Sequence, residues 1–273
     1  MLIPLPRVSC TPSPEAGAGE ACPRGFQRGS FMRLQVFLSH AGICSRRKAL
    51  EPILAGRVTV NGKEVTEPSF DVHPSSDKVC FDGRPVHLPQ KIYLLLHKPQ
   101  ATMSTVSDPH ASKTVLGLIP QHLRSGLHPV GRLDKDTTGL LLLTNDGDLT
   151  HRMSHPSYEV EKVYRVVLNK EAGDGDIRRI SQGILLEGQK TLPCRIVKRG
   201  PRELEMAIHE GRKRQIRKVF ALLHYHVERL KRVRQGGLEL GSLKEGEWRF
   251  LTPQEVARIM QEIRKTPKGK KTK

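Results

Sequence analysis

The chain has 273 residues, which is enough for two ordinary domains, each with its own apolar core. Its 46 Lys and Arg residues outnumber 28 Asp and Glu residues to give a formal net charge of +18, which favours a polyanionic partner such as nucleic acid. No apolar run is long enough to predict a membrane span, and an aromatic content of only 4% argues against a single-strand binder built on stacked rings.

The cysteine pattern predicts a reducing compartment. The five cysteines are an odd number, lie far apart and include no Cys-x-x-Cys pair with which a zinc site or a disulfide framework could begin. Residues 1–31 contain no apolar core long enough for a secretory signal, and their Pro, Gly, Ala and Ser without apolar periodicity predict disorder. We therefore expect a cytoplasmic protein that acts as a monomer and binds no membrane.

Two short helices are predicted after this extension. The apolar residues between Leu34 and Ala41 recur at helical spacing, and Gly42 ends that helix. Ser45 is a good N-cap for a second helix that begins at Arg46, and Pro52 should shorten or kink it.

Two β-hairpins follow the helices. Asn61-Gly62 and Asp82-Gly83 each lie between short apolar runs, and such dipeptides are typical of tight hairpin turns. Two helices followed by hairpins resemble the small RNA-binding module first seen in ribosomal protein S-four, over residues 32–88. The resemblance implies that four basic side chains bind RNA phosphates, namely Arg46, Arg47, Lys48 and Arg57.

A second and larger domain is predicted over residues 92–263. Pro89 marks the linker before it, a buried strand begins at Ile92, and the last helix runs from Pro253 to Ile263. The Lys-rich tail, residues 264–273, is too polar to pack and should be a mobile basic arm.

The most informative stretch runs from Gly131 to Gly139, with the sequence Gly-Arg-Leu-Asp-Lys-Asp-Thr-Thr-Gly, and four leucines follow it. Four successive leucines predict a strand buried on both faces, which would anchor the preceding polar loop to a rigid core. A carboxylate on such a loop, Asp134, can be held in a fixed orientation. Arginines beside it would keep it ionised.

Other interpretations of this stretch also have to be weighed. The spacing of Asp134, Asp136 and Thr138 partly matches a calcium loop, but Asn145 stands where that loop needs its last acid. The Asp-x-Asp-x-Thr order resembles the nucleophile motif of magnesium-dependent haloacid dehalogenase phosphatases, although there the apolar strand precedes the first Asp. A structural turn whose aspartate caps the backbone fits the local pattern equally well.

Motifs elsewhere in the chain favour a catalytic interpretation. The stretch from Gly131 to Gly147 is very similar to the signature of the RsuA/RluB family of ribosomal RNA pseudouridine synthases. Further motifs of that family are Lys98-Pro99, His155-Pro156, the run Glu-Lys-Val-Tyr-Arg at 161–165 and the run at 210–218, which we expect to begin a late helix. The resemblance covers nearly everything from Met32 to Thr252. It implies an α+β protein, with a helix-helix-hairpin RNA-binding domain followed by a mixed, largely antiparallel sheet flanked by helices.

The resemblance also implies a reaction. Pseudouridine formation breaks the bond between ribose and a uracil nitrogen, turns the base and joins it through carbon 5, so that no atom is lost and no cofactor is needed. An enzyme needs a carboxylate, a base for the carbon 5 proton and a way to extract the nucleotide from its stack. The implied catalytic residues are Asp134, Tyr164 and Arg217, and the guanidinium of Arg217 is expected to pair with Asp134.

The implied binding residues surround these three. Arg132 is expected to fill the space left by the extracted base, Ile216 to form an apolar wall, and Lys98 and Thr137 to bind substrate. Two residues of the late basic run, Arg212 and Arg214, should follow the RNA backbone. His151 and His155 have a zinc-ligand spacing, but no third ligand is suggested and we expect no metal.

Ribosomal RNA or a pre-ribosomal particle is the implied partner. The Ser-Arg-Arg start of the second helix and the Arg-Gln-Ile-Arg run resemble the branch that acts on the large subunit more than the small-subunit branch. A non-catalytic RNA-binding or ribosome-assembly factor is the main alternative. The joint presence of Asp134, Tyr164 and Arg217 argues against it, because binding alone does not need them.

Overall fold

The computed structural model describes residues 31–106 and 113–264, without the side chains of residues 263 and 264. The predictions of disorder before residue 31 and of a mobile basic tail after residue 264 concern parts of the chain outside these ranges. Within the two described ranges, no helix has the length and apolar character needed to cross a membrane.

The N-terminal module contains two helices and a small sheet. Its elements are β1 (Met32–Arg33), α1 (Leu34–His40), α2 (Leu50–Leu54), β2 (Val58–Val60), β3 (Lys63–Glu64), β4 (Asp71–Val72), β5 (Val79–Phe81) and β6 (Arg84–Pro85). The sheet has the strand order β3-β2-β5-β6, and β1 pairs separately with β4. Both helices pack on it through buried apolar side chains that include Leu34, Phe37, Leu38 and Ile53.

The hairpin turns are confirmed. Asn61 and Gly62 have φ values of 52° and 80°, and Asp82 and Gly83 have φ values of 50° and 73°. Positive φ at both central residues matches the right-handed twist of the flanking strands, which is why Asn-Gly and Asp-Gly are favoured there. These turns fix the register of β2 with β3 and of β5 with β6.

The second helix is shorter than predicted. The Ser45 side chain accepts a hydrogen bond from the Lys48 backbone N at 3.3 Å, but the residues after it form only turns, and the regular helix begins at Leu50. Pro52 has no backbone N–H to bond the fourth carbonyl before it, which limits regular helix in this segment.

The large domain is built on one mixed sheet. Its elements are β7 (Tyr93–Lys98), β8 (His128–Pro129), β9 (Thr138–Thr144), α3 (Gly147–Ser154), β10 (Lys162–Leu168), α4 (Asp174–Ser181), β11 (Leu185–Leu186), β12 (Gln189–Lys190), β13 (Arg195–Lys198), β14 (Glu203–Ile208), α5 (Gln215–Ala221), β15 (Val227–Gln235), β16 (Leu238–Glu239), β17 (Trp248–Phe250) and α6 (Pro253–Arg264). The strand order is β13-β14-β10-β15-β9-β7-β17. In this path β15 and β9 are parallel and the other neighbours are antiparallel, so the predicted fold class is confirmed.

The predicted doubly buried strand is β9. Leu141 and Leu143 face one apolar core, while Leu140 and Leu142 face a second core on the side of α3 and α6. All four side chains are fully buried. The loop before β9 is therefore attached to a strand that packing holds on both faces.

Gly139 allows β9 to approach β15 closely. It has a φ of +108°, and a Cβ there would lie 2.2 Å from the Arg232 carbonyl oxygen. No side chain can occupy that space without pushing the strands apart. The Arg232 side chain further joins the strands, because its Nε donates to the Leu140 carbonyl at 2.8 Å.

The late helix begins later than predicted. Residues 210–214 form a loop in which Arg214 has a left-handed φ of 54°, and α5 begins only at Gln215. The reason is a local network: the Glu210 carboxylate accepts hydrogen bonds from Gln215 Nε2 at 2.6 Å and from Arg212 Nε at 3.1 Å. These bonds hold the chain in a turn that is incompatible with helix.

Candidate active site

The loop that carries Asp134 has every carbonyl oxygen from residue 133 to residue 137 hydrogen-bonded. The donors are Ser104 Oγ to Leu133 O (2.8 Å), Thr137 N to Asp134 O (3.0 Å), Ala101 N and Lys98 Nζ to Lys135 O (3.0 and 3.2 Å), Arg217 Nη2 to Asp136 O (3.1 Å) and Lys98 Nζ to Thr137 O (2.8 Å). The donors come from three separate parts of the chain. The loop backbone is therefore held in one conformation before any ligand arrives.

The Asp134 carboxylate, in contrast, has no hydrogen-bond or ion-pair partner within residues 31–106 and 113–264. It is half-buried and lines a cleft of about 680 Å³. Among the described residues, no Lys, Arg or His nitrogen forms an ion pair with it. A rigid backbone thus presents a free carboxylate to an open cleft.

The same cleft contains most of the residues predicted for the site. Besides Asp134, the predicted residues that line it are Arg132, Thr137, Tyr164, Arg212, Arg214 and Ile216. The Thr137 hydroxyl is buried and has no hydrogen-bond partner among the described residues. A bound ligand with a polar edge could supply the missing partner.

Tyr164 lies on β10, where side chains alternate between the two faces of the sheet. Its ring packs in the same core as Ile216 and Leu230, whereas Arg165 on the opposite face is exposed. The strand thus orients the ring toward the cleft, and packing limits the directions in which the phenol can point.

Lys98 does not line the cleft, and the prediction that it binds substrate has no contact to support it in this structure. Its side chain is 0% exposed, and Nζ donates to the carbonyl oxygens of Pro99, Lys135 and Thr137 at 3.0, 3.2 and 2.8 Å. All three ammonium N–H groups are used. Burial lowers the pKa of Lys98 to about 8, and the charges of Asp136 and Asp134 oppose that change.

We expect Lys98→Met to lower the free energy of unfolding by about 3 kcal/mol, because buried carbonyl groups of the loop would lose their donor while the volume of the side chain is kept. Denaturant unfolding measures the change. Lys63→Met is the matched control, since Lys63 is exposed on β3. Equal stability of Lys98→Met and the control would contradict the role of Lys98 in holding the loop.

Arg217 also differs from its predicted contact. Its guanidinium donates to the carbonyl oxygens of Val227 and Asp136 at 2.7 and 3.1 Å, and it forms no ion pair with Asp134 among the described residues. Burial lowers the pKa of Arg217, and the charges of Asp136 and Asp134 raise it. Arg217 therefore acts on Asp134 through the backbone of the loop and through its electric field.

The two basic residues before α5 have different surroundings. All the guanidinium nitrogens of Arg212 donate within the protein, to Glu210 and to the carbonyl oxygens of Gln189 and Lys190. It fastens the β11–β12 hairpin to the edge of the cleft, and its contact with the RNA backbone stays a prediction. Arg214 is exposed, forms a weak ion pair with Asp136 at 3.6 Å and can still reach a phosphate.

In the N-terminal module, Arg47 and Lys48 are exposed as an RNA contact requires. Arg46 is exposed too, but its guanidinium lies beside the large domain: a Cβ added at Gly147 would be 3.2 Å from one of its nitrogens. Arg57 is already paired with Asp82 through two hydrogen bonds and stacks over Phe81 at 5.0 Å. Arg57 thus has a protein partner in this conformation, and its contact with a phosphate stays a prediction.

Sequence reasoning missed Ser104 and the role of Gln215. Ser104 both donates to the Leu133 carbonyl and accepts from the Leu133 N at 3.1 Å, but its segment carries no pattern that distinguishes this serine. Gln215 lies inside a recognised motif. Its bond to Glu210, five residues earlier in the same motif, helps to shape the cleft wall.

Comparison with known proteins adds independent findings. Residues 92–222 match the family model described as RNA pseudouridylate synthase, and residues 32–79 match the S4 domain. The ribosomal large subunit pseudouridine synthase B of Bacillus subtilis is 39% identical over 233 residues, which are 83% of this chain and 95% of that protein. The ribosomal small subunit pseudouridine synthase A of Escherichia coli is 37% identical over 235 residues, which are 84% of this chain and 100% of that protein.

A solved structure agrees with these matches. The crystal structure of a pseudouridylate synthase superposes with a TM-score of 0.62 at 31% identity, and the match covers 84% of this chain and 99% of that one. Sequence, domain order and three-dimensional fold therefore point the same way, and the chain belongs to the RNA pseudouridine synthase family.

Proposed function

We propose that this protein converts a specific uridine of large-subunit ribosomal RNA to pseudouridine, with Asp134 as the catalytic carboxylate. The observation that carries the proposal is the free Asp134 carboxylate on a fully hydrogen-bonded loop, facing a cleft shared with Tyr164. Preorganised charge of this kind stabilises a developing positive charge on ribose or forms a bond to it, without reorganisation of the site.

The other cleft residues supply the remaining requirements. The Tyr164 ring can stack on the extracted uracil, and its hydroxyl is the candidate base for the carbon 5 proton. Ile216 and Leu230 form apolar walls that exclude water while the base turns. Arg132 is exposed at the cleft, where it can occupy the space that the base leaves in its stack.

The proposed reaction uses only groups of this chain and of the RNA. The bond between ribose and the ring nitrogen breaks and a bond between ribose and carbon 5 forms. Carbon 5 loses its proton and the released ring nitrogen gains one, so that atoms and electrons balance. Lys98 and Arg217 act as positioning residues in this proposal, because each bonds the backbone on either side of Asp134.

Large-subunit RNA is proposed as the substrate because the chain shares 39% identity with the large-subunit relative and 37% with the small-subunit one, a small difference in the same direction as the motifs. We also propose that the protein works as a monomer in the cytoplasm, where ribosomal RNA is made in the organisms of these relatives.

The direct test is to incubate the purified protein with unmodified transcripts of both ribosomal RNAs. Pseudouridine is then mapped by chemical labelling and primer extension. The proposal expects one modified position, in the large-subunit RNA. Modification of the small-subunit RNA alone would reassign the substrate. Tight binding of both RNAs without any pseudouridine would favour a non-catalytic assembly factor instead.

A further inference from the structure

The face of the large sheet opposite the cleft carries a row of cationic side chains. On β10 and β15, Tyr164 and Leu230 point into the core of the cleft side. Arg165 and Lys231 alternate with them and therefore lie on the other face, directly opposite each other in the antiparallel register. Arg229 lies on that face two residues before Lys231, opposite Val167.

These cations lie in and beside a groove of about 520 Å³. Its charged lining residues are Arg165, Arg195, Lys231, Arg234, Glu205 and Glu239. Half of them already have partners: Arg195 and Arg234 pair with Glu161, and Glu205 pairs with Arg199 at 3.1 Å.

Arg165, Arg229 and Lys231, in contrast, form no ion pair within the described residues. Like charges directly opposite on neighbouring strands destabilise a sheet. Glu205 lies opposite Arg165 on β14 and offsets part of this repulsion, but it forms its ion pair with Arg199. An external anion placed between Arg165 and Lys231 would relieve the repulsion.

We propose that this row, Arg165, Arg229 and Lys231, is a second RNA-binding surface that holds the phosphate backbone of the substrate on the side of the sheet away from Asp134. The inference rests on the proposed function, because it takes the ligand to be the same ribosomal RNA. Arg229 and Lys231 are two residues apart on β15, a separation of about 7 Å along the strand, and Arg165 lies across from Lys231 on β10. The three cations can therefore contact neighbouring phosphates of one RNA backbone.

The chemistry favours RNA over an acidic protein segment. The arginine guanidinium can donate two parallel hydrogen bonds to phosphate oxygens, and the lysine ammonium adds a point charge. The groove offers no exposed aromatic or large apolar side chain as an anchor, which a protein interface normally uses. Affinity here would come almost entirely from charge.

The test compares the double variant Arg165→Gln/Lys231→Gln with Arg178→Gln/Arg179→Gln. The control removes the same two charges from exposed positions on α4, which packs on the cleft side of the sheet. Dissociation constants for an unmodified large-subunit RNA transcript are measured between about 50 and about 200 mM salt, the range over which counterion release changes affinity strongly.

We expect the groove variant to bind about tenfold more weakly at the low-salt end, with a log–log salt slope smaller by about 2, because two phosphate contacts are lost. Its melting temperature should equal or exceed that of the wild type, since opposed like charges are removed. The control should keep both the wild-type affinity and slope.

Wild-type affinity and slope in the groove variant would overturn the proposal. An equal loss in the control would overturn it too, because the effect would then come from net charge alone. Unchanged RNA binding combined with lost binding of poly-glutamate would assign the groove to an acidic protein instead. Binding is measured without turnover, so a wild-type enzyme that makes no pseudouridine would contradict the proposed function and leave this test intact.

Discussion

Asp134→Asn should abolish pseudouridine formation while leaving RNA binding intact. The amide keeps the size of the side chain but carries no negative charge, so it can neither attack ribose nor stabilise a cation there. Removal of a principal catalytic group typically costs at least about 10⁴-fold in rate. Single-turnover assays with excess enzyme measure the rate, and filter binding measures the affinity.

The structure provides a matched control for this prediction. Asp136 is two residues away on the same loop, half-exposed and weakly paired with Arg214. Asp136→Asn should therefore keep a rate close to that of the wild type. Because Asp134 forms no ion pair with the described part of the chain, Asp134→Asn should also melt at the wild-type temperature. An Asp134→Asn enzyme that modifies RNA at the normal rate would refute the assignment of the catalytic carboxylate.

Tyr164→Phe should slow the reaction by about 10² to 10⁴-fold, the range for loss of a general base. The ring is almost fully buried in the cleft core, and phenylalanine preserves that packing. Affinity for RNA should hence change little, because stacking on the base needs only the ring. The loss of rate can then be attributed to removal of the hydroxyl group.

An isotope experiment separates this chemical role from a structural one. RNA labelled with deuterium at carbon 5 of uridine should show a primary isotope effect with Tyr164→Phe, since proton removal becomes the slow step. A structural defect would slow both substrates equally. If the variant is slow but shows no isotope effect, Tyr164 is not the base that removes the carbon 5 proton. Its contribution would then be to the shape of the cleft.

The proposed RNA contacts lie on both faces of the large sheet, and this separation suggests how such an enzyme could select one uridine. In the proposed function, the cleft receives the extracted base. The exposed Arg47 and Lys48 and the opposite sheet face would bind backbone at a distance from that base. Selection by the shape of a large folded RNA follows from this arrangement, because widely separated phosphates must fit at the same time.

Local chemistry made much of the fold predictable. The Asn61-Gly62 and Asp82-Gly83 turns need positive φ, and four consecutive leucines need burial on both faces, so each pattern pointed to one structure. These features depend on residues close together in the chain, and the structure confirms them.

The bonding partner of each charged side chain could not be predicted in the same way. Lys98, Arg57, Arg212 and Arg217 have the charge expected of RNA contacts, but each donates to partners inside the protein, up to 81 residues away in the chain. Whether a Lys or Arg side chain donates to a carbonyl, a carboxylate or solvent depends on which strands lie side by side. That arrangement arises only when the two faces of β9 are buried and the loops on either side of it come together.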